Sequence, residues 1–406
     1  MSFLIESLEL AQFRSYKQAA LSFGRDLTIL TGPNASGKTN IVEALQLLTQ
    51  GDSFRTTKWR DLILWESEQA QATLFATDQG RERNVRLCVE DGRRRYQVND
   101  KPVRSSAALA GVLPCVLFTP VDLRLVRDSA AQRRDELDNL GSQIAGGYLR
   151  LRQEYKKIVQ QRNRLLKDEQ WAGPVFEAWT ERLVEVGVAF ALRRLALFEQ
   201  LRPALIAAYR GIDAQCALEV NYVADWAGGA DPQPDTEALA AAFHRALTDE
   251  REVERARHTT TVGPHHDDMV FTLGGQGARS FASQGQQRSI ALAVKIAEID
   301  VITALCGTRP LLLLDDVMSE LDESRRAALT DYVGTVTQTV ITTANIDYFR
   351  PELLARATCI DVRDLDSGGA SGSSRPAGVE LDQSDRSGKV FVGRDDLARP
   401  TSSEVD

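Results

Sequence analysis

The feature that most constrains the fold of this 406-residue chain is a glycine-rich octapeptide between a strand pattern and a helix pattern. Residues 32–39 read GPNASGKT and match G-x-x-x-x-G-K-[ST] in full. The apolar run Leu27–Thr31 before them is typical of a buried strand, and Ile41, Leu45 and Leu48 after them recur at helical spacing. A strand, such a loop and a helix in succession predict a phosphate-binding loop (P-loop) in an α/β protein.

The residue types of this loop explain how it would bind phosphate. Glycines let backbone N–H groups approach phosphate oxygens, and the start of the helix adds a partial positive charge. Lys38 would reach the outer phosphates, and Thr39 would supply a ligand to Mg²⁺. The sequence therefore predicts a nucleotide site formed by Gly32, Pro33, Asn34, Ala35, Ser36, Gly37, Lys38, Thr39 and Asn40.

A second apolar run, Leu311–Leu314, leads directly into Asp315 and Asp316. Alone, such a run is more often an ordinary strand end. Paired with a P-loop, it predicts a carboxylate beside the phosphates, where it holds Mg²⁺ directly or through water. We therefore expect Thr39 and Asp315 to be the magnesium ligands, and Lys38, Asp315 and Asp316 to be catalytic.

A third element is the sequence Ser283-Gln284-Gly285-Gln286, which precedes an apolar helix predicted over 286–302. A small hydroxyl residue and a glycine at a helix start can form a second anion site. Because many helices begin in this way, the pattern says little by itself.

The organisation of the chain changes twice along its length. Strand patterns at 73–77, 84–89 and 96–98, with a turn at Asn99-Asp100, predict antiparallel hairpins. Helical spacing prevails from about 122 to 258, and strands and helices return after 259. The predicted parts are 1–121 (head, with the P-loop), 122–258 (helical arm), 259–365 (rest of the head) and 366–406 (a disordered tail).

Two patterns describe the predicted arm. A spacing of three or four residues, which indicates one face of a long helix, separates Leu151, Tyr155, Ile158, Arg162 and Leu165. Further along the arm, glycines and prolines predict breaks that exclude a long uninterrupted coiled coil, namely Gly173-Pro174, Pro203, Gly211, Gly228-Gly229, Pro232 and Pro234.

Charge restricts the ways in which this chain could bind nucleic acid. The 49 Lys and Arg residues stand against 57 Asp and Glu residues, for a formal net charge of -8. Binding to DNA would therefore need a local basic patch. A cluster of basic residues either contacts phosphates or is an ordinary solvated face. The candidate DNA-binding residues are Arg93, Arg94, Arg95, Arg150, Arg152, Lys156, Lys157, Arg162 and Arg164.

Other patterns bear on location and on metal binding. Glu6 interrupts the N-terminus before an apolar stretch forms, and no run approaches the ~20 apolar residues of a membrane span. We expect a cytoplasmic protein with reduced cysteines. The run His265-His266-Asp267-Asp268 lacks further ligands at zinc spacing, so a polar turn entering a strand is expected there.

Taken together, these motifs resemble those of the ATP-binding-cassette (ABC) superfamily. Ser283-Gln284-Gly285-Gln286 is similar to its signature, and Ser319-Glu320-Leu321-Asp322 is similar to its D-loop. The four motifs occur in the order of that superfamily. The resemblance implies that ATP is sandwiched in a head-to-tail homodimer, in which Ser283, Gly285 and Gln286 act on the γ-phosphate held by the partner.

Within that superfamily the chain resembles the SMC-like heads, and most closely the RecF family. The resembling segments are residues 10–16, which include Arg14, and residues 118–123, 263–268 and 313–322. The resemblance implies an α/β fold, with an ABC-type P-loop ATPase head (a mixed sheet with an antiparallel lobe) and a helical arm insertion. It places Arg14 with the nucleotide-binding residues and implies ATP and Mg²⁺ as cofactors. It also implies binding to DNA at single-strand gaps, RecO and RecR as partners, and help in loading the RecA recombinase.

Three departures from the ABC pattern predict slow ATP hydrolysis. Asp316 stands where a glutamate base is usual, no glutamine occurs near Thr119-Pro120, and Thr342–Asn345 lacks the switch histidine. The sequence leaves four alternatives: a transporter ATPase subunit, an ABC-type nuclease, a DNA scaffold that does not hydrolyse ATP, and another SMC-like repair ATPase. The DNA-repair resemblance and the long arm argue against the first, and the short polar tail argues against the second.

Overall fold

The computed structural model describes residues 3–78, 80–103, 109, 113–169, 171, 173–333 and 337–366. The strands described are β1 (Phe3–Phe13), β2 (Tyr16–Ser22), β3 (Leu27–Thr31), β4 (Gln69–Asp78), β5 (Arg81–Glu90), β6 (Arg93–Val98), β7 (Lys101–Val103), β8 (Cys115–Phe118), β9 (Leu218–Ala224), β10 (Gly229–Ala230), β11 (Asp268–Leu273), β12 (Gln276–Gly277), β13 (Leu311–Asp315), β14 (Thr339–Thr343) and β15 (Thr358–Asp361). The helices described are α1 (Lys38–Gln50), α2 (Ala130–Ile144), α3 (Gly146–Lys167), α4 (Pro174–Ile212), α5 (Thr236–Asp249), α6 (Arg251–Arg257), α7 (Ala278–Phe281), α8 (Gln284–Cys306), α9 (Glu323–Tyr332), α10 (Pro351–Leu354) and α11 (Arg363–Asp366).

Two sheets enclose α1. The antiparallel sheet has the strand order β2-β1-β4-β5-β6-β7, and the parallel sheet has the order β15-β3-β14-β13-β8. Ile41, Val42, Leu45 and Leu48 of α1 belong to the same core as the inner faces of both sheets. Because α1 is covered on both sides, all residues from Ile41 to Thr49 are buried, including the polar Glu43 and Gln46. The predicted fold class is confirmed, with the parallel and antiparallel strands in separate sheets.

The predicted hairpins are also confirmed. β4, β5, β6 and β7 pair antiparallel in succession. Asn99 and Asp100 join β6 to β7 with φ angles of 50° and 59°. Two successive left-handed residues of these types form the tight turn that matches strand twist.

The other face of the parallel sheet carries the helices. Ile29, Phe118 and Leu314 of this sheet share a second core with residues of α2, α3, α4 and α8. The segment 122–258, predicted as a helical arm, also contains the strands β9 and β10. β9 pairs with β11 beyond that segment, from Val223 opposite Asp268 to Leu218 opposite Leu273. Alternation of apolar and polar residues from Leu218 to Tyr222 was the sequence signal for β9.

Two predicted breaks, at Pro203 and Gly211, were wrong, because α4 runs for 39 residues through both positions. A proline inside a helix removes one hydrogen bond and costs about 3 kcal/mol. Leu201 and Leu205 on either side of it are 1% and 0% exposed. Burial of the apolar face over the whole helix therefore outweighs the local cost. The predicted break at Gly173-Pro174 is confirmed as the helix start.

The residues that the structure describes, which lie between 3 and 366, belong to one compact unit. The division of the chain at 121, 258 and 365 stays a prediction. Of the predicted tail, only Asp366, the last residue of α11, lies within the described residues. None of the helices described is both long and apolar enough to cross a membrane.

Candidate nucleotide site

The P-loop connects β3 to α1 and has a backbone that its sequence makes possible. Gly32 and Gly37 have φ angles of 148° and 100°, and Ala35 has a φ of 66°. A Cβ atom at Gly37 would lie 2.6 Å from the Tyr16 hydroxyl oxygen. Glycine is therefore required at position 37 both by its conformation and by the close approach of Tyr16.

Lys38 folds back over the loop that precedes it. Its ammonium donates hydrogen bonds to the Gly32 and Pro33 carbonyl oxygens, at 2.7 and 2.8 Å. Burial lowers the pKa of Lys38, while the neighbouring carboxylates, Asp316 first, act to raise it. A buried ammonium surrounded by carbonyls and carboxylates is a preformed cationic group for an outer phosphate.

The predicted magnesium ligands meet at the same edge of the parallel sheet. Thr39 Oγ1 donates to Asp315 Oδ1 at 3.0 Å, and Thr342 Oγ1 donates to the same oxygen at 2.8 Å. Burial raises the pKa of Asp315, and these two hydrogen bonds oppose the shift. A hydroxyl and a carboxylate oxygen converging beside a P-loop are the donors that Mg²⁺ prefers, so these residues fit the ion.

Asp316 faces Lys38 from the turn that follows β13. Its φ angle is 54°, and its backbone N–H donates to Thr342 Oγ1 at 2.9 Å. Burial raises the pKa of Asp316, and the Lys38 charge opposes the shift. Thr342 therefore contacts both aspartates. It lies in the segment Thr342–Asn345, where the ABC pattern would have a switch histidine.

Arg14 and Arg55 lie beside the first turn of α1. Arg14 forms a two-pronged ion pair with the buried Glu43, with N···O distances of 2.8 and 2.6 Å. Arg55 Nη1 donates to Asn40 Oδ1 at 2.7 Å and to Glu43 Oε2 at 3.2 Å. The positive charge of Arg55 also acts to lower the pKa of Asp315.

Sequence reasoning missed Arg55. Its side chain is 39% exposed and lies next to Asn40, the residue after the predicted magnesium ligand Thr39. No motif among those considered included residue 55. The sequence carried no signal for this residue, because its contact with Asn40 depends on tertiary packing.

The ABC-like signature forms the exposed start of α8. Ser283 caps the helix by accepting from the Gln286 N–H at 3.2 Å, and Gln286 Oε1 accepts from the Ser283 N–H at 2.9 Å. This reciprocal pair is a capping box. Within the described part of the chain, no hydrogen bond or ion pair joins Ser283 or Gly285 to the P-loop.

A polar cavity of about 160 Å³ lies between α1, β8, α2 and α8. Lys295 projects toward three carboxylates there, with Nζ 3.6 Å from Asp122 and 3.7 Å from Glu298, and in contact with Glu136. One ammonium cannot neutralise three carboxylates, of which Glu298 is buried and Asp122 and Glu136 are partly exposed. Burial raises the pKa of Glu298 to about 7, against the opposing charge of Lys295.

Replacing Glu298 with glutamine is expected to remove a pH dependence of stability. The folded protein holds the Glu298 proton up to about pH 7, whereas the unfolded chain releases it near 4.5. As the pH rises from 4.5 to 7, the free energy of unfolding of the wild type therefore falls relative to that of the variant, by roughly 3 kcal/mol in total. Above pH 7 the difference stays constant. Urea unfolding of both proteins from pH 5 to 8 measures the difference. Parallel pH profiles would contradict the account.

The candidate DNA-binding residues are not equivalent. Arg94 lies over the Trp59 ring at 4.1 Å, Arg95 pairs with Glu90 at 2.6 Å, and Arg152 pairs with Asp135 at 2.8 Å. Arg164 lies 3.7 Å from Asp168 and is 76% exposed. The remaining exposed members are Arg93, Arg150, Lys156 and Lys157.

The prediction that Arg162 contacts DNA was wrong. Its side chain is 2% exposed and cannot reach DNA. Its guanidinium donates to Glu254 Oε2 at 2.6 Å and to Thr260 Oγ1 at 2.9 Å. The position falls on the apolar face of α3, between Ile158 and Leu166. The charge is therefore buried and paired, and it connects α3 to α6.

The run His265-His266-Asp267-Asp268 is structural, as expected of a polar turn entering a strand. His265 Nδ1 lies 2.7 Å from the Tyr155 hydroxyl, and burial lowers the pKa of His265 to about 3. Arg133 forms a two-pronged pair with Asp268 at 2.7 and 2.9 Å. Among the residues that the structure describes, no group of three or more His, Cys, Asp or Glu could hold a metal ion.

Comparisons with known proteins agree with this geometry. A sequence profile described as the RecF/RecN/SMC N-terminal domain matches residues 4–357. The DNA replication and repair protein RecF of Thermosynechococcus vestitus is 39% identical over 351 residues, which are 85% of this chain and 92% of that protein. RecF of Heliobacterium modesticaldum is 35% identical over 360 residues, which are 87% and 95% of the two chains.

Solved structures show the same relationship. The structure described as the recombination mediator protein RecF-ATPrS in RecFOR pathway superimposes with a TM-score of 0.80 at 28% identity, covering 86% of this chain and 94% of that chain. An SMC head bound to a domain of ScpA has a TM-score of 0.50 at 16% identity, over 87% and 92%, and supports the fold alone.

The P-loop, the aspartate-ended strand and the capped signature helix on this scaffold define the head of an ABC-type ATPase. The comparisons are more specific. This chain belongs to the RecF family of DNA replication and repair proteins.

Proposed function

We propose that this chain is an ATP-dependent recombination and repair mediator that dimerises head to tail around ATP. The observation that carries the proposal is the convergence of Lys38, Thr39 and Asp315 at one sheet edge, with Thr39 and Asp315 3.0 Å apart. The signature is exposed on a separate helix and makes no bond to this site. A second copy would therefore supply it.

Each residue has a defined part in this proposal. The P-loop N–H groups and Lys38 would bind the β- and γ-phosphates, and Arg14 and Arg55 would hold the first turn of α1 in place. Thr39 and Asp315 would hold Mg²⁺, which neutralises charge on phosphate oxygens. Asp316 would orient the attacking water. Its side chain is one methylene shorter than the usual glutamate, so we expect turnover below the ~1 s⁻¹ of ordinary slow enzymes.

We propose that closure of the dimer creates the DNA-binding surface and that slow, DNA-dependent hydrolysis releases it. Arg150, Lys157 and Arg164 recur at seven-residue spacing on α3, which places them on one helix face. Three cations on one face of the arm, 122–258, would form a local basic stripe that could neutralise phosphates of a duplex. We further propose gap junctions as the DNA target, RecO and RecR as partners, RecA loading as the outcome and the cytoplasm as the location. The similarity to a recombination mediator of the RecFOR pathway supports the choice of partners.

Binding to a fluorescent gapped duplex tests this function. With ATP and Mg²⁺ the wild type should bind the gapped duplex more tightly than with ADP. Lys38→Ala should show no such difference between nucleotides. Equal binding with ATP and ADP would contradict the proposal.

One alternative is a scaffold that binds ATP without hydrolysing it, which the replacement of glutamate by Asp316 favours. Single-turnover hydrolysis separates the two functions, because the mediator converts bound ATP to ADP within minutes and the scaffold does not. The other alternative is a different SMC-like repair ATPase, which would show no preference for gapped DNA over intact duplex.

A further inference from the structure

Two arginines join the signature helix to the D-loop within one chain. Arg288 donates to the Glu320 carbonyl oxygen and lies 3.4 Å from the Glu320 carboxylate. Arg325, on the first turn of α9, donates through Nε to Ser289 Oγ at 2.9 Å and pairs with Asp322, the N-cap of the same helix. The two motifs, separated by about 35 residues in sequence, are therefore one structural unit.

Arg325 also lies directly against the signature glycine. A Cβ atom at Gly285 would be 2.9 Å from Arg325 Nη2, which is closer than real side chains approach. The arginine side chain is only 15% exposed, so the guanidinium is packed in place. Ser289, which accepts from it, is fully buried. Neither the P-loop nor the magnesium ligands contact this group.

We propose that Arg325 is a positioning residue that holds Gly285 and the D-loop in register for the nucleotide of a second copy. This inference rests on the proposed head-to-tail dimer and deepens it. The planar guanidinium makes three contacts at once, to Ser289, to Asp322 and over Gly285. A mobile D-loop or a displaced Gly285 would misplace the first-turn N–H groups of α8, which are the groups that an incoming phosphate would need.

The test compares Arg325→Ala with Arg326→Ala, the same change one residue along α9. Arg326 lies over the Tyr348 ring at 4.8 Å and does not contact the signature. In sedimentation experiments with ATP and Mg²⁺, Arg325→Ala should weaken dimerisation about tenfold or more, the usual effect of losing a charge-assisted contact. ATP affinity of the monomer should stay within about twofold of wild type, because the P-loop is untouched. A dimer constant equal to that of Arg326→Ala would overturn the proposal.

Ser289→Ala provides a milder second variant, since the buried Ser289 cannot touch a partner and acts only through Arg325. It should weaken the dimer by a smaller factor and add nothing to Arg325→Ala in the double variant. Additive effects would mean that the two residues act independently and would overturn the proposal. Arg325→Lys should recover little, because one ammonium cannot make the three contacts of the fork. Full recovery in that variant would also overturn it.

The variant Ser283→Arg separates a failure of the proposed dimer from a failure of the proposed role of Arg325. If wild type does not dimerise with ATP, or if Ser283→Arg dimerises normally, the head-to-tail dimer itself is wrong. If Ser283→Arg fails to dimerise while Arg325→Ala behaves as wild type, only the role of Arg325 is wrong.

Discussion

Lys38→Ala should lower the affinity for ATP by about a hundredfold or more, which corresponds to roughly 3 kcal/mol. The ammonium is the only side-chain cation in the P-loop itself, and it is buried and held by the Gly32 and Pro33 carbonyl oxygens. A buried charge that approaches a phosphate contributes more than an exposed one, because little water screens it.

Titration calorimetry with ATP and Mg²⁺ measures this effect, with Lys101→Ala on the exposed strand β7 as the control. Melting temperatures of both variants should stay close to that of wild type, which excludes unfolding as the cause. If Lys38→Ala bound ATP as tightly as Lys101→Ala, the nucleotide site would lie elsewhere.

Arg162→Ala should lower the free energy of unfolding by about 3–5 kcal/mol, the usual cost of leaving one member of a buried ion pair alone. Glu254, which accepts from Arg162, is 1% exposed and would lose its cation. The ring of Phe176 would also lose the guanidinium packed over it at 4.7 Å.

Arg164→Ala is the matched control, two residues along the same helix and 76% exposed. It should change stability by no more than about 0.5 kcal/mol. Urea unfolding of both variants gives the comparison. If the two variants were equally stable, the buried position of Arg162 would be wrong and its role in DNA binding would be open again.

The nucleotide site could be predicted because its chemistry is local in sequence. The P-loop from Gly32 to Thr39 carries its own strand, turn and helix start, so eight residues define the geometry. Leu311–Asp315 is equally self-contained, since a buried strand that ends in a carboxylate can place it only at one sheet edge. The structure joins the two through the 3.0 Å contact between Thr39 and Asp315.

Arg55 and Arg325 could not be predicted in the same way, because each acts on residues brought near by tertiary packing. Arg55 meets Asn40 only after the chain turns back along α1. Arg325 meets Gly285 only because the fold brings its side chain, on the first turn of α9, to the start of α8. No spacing rule connects residues 285 and 325.

Arg162 shows how two sequence patterns can conflict. Its charge placed it with the basic residues of α3, whereas its spacing from Tyr155 and Ile158 placed it on the apolar face. The spacing was the better guide, because helix geometry fixes which face is buried, and a buried arginine can be paired by Glu254 from a distant segment. Pro203 illustrates a similar conflict, between a local breaker and the burial of a 39-residue helix.

Molecular mass in solution shows whether ATP closes a head-to-tail dimer. Light scattering on wild type, Lys38→Ala and Ser283→Arg, each with ATP and Mg²⁺ and each with ADP, gives the comparison. We expect twice the monomer mass for wild type with ATP and Mg²⁺, and the monomer mass for wild type with ADP and for both variants with either nucleotide. A wild type that stays monomeric with ATP, or a Ser283→Arg variant that dimerises as well as wild type, would contradict this expectation.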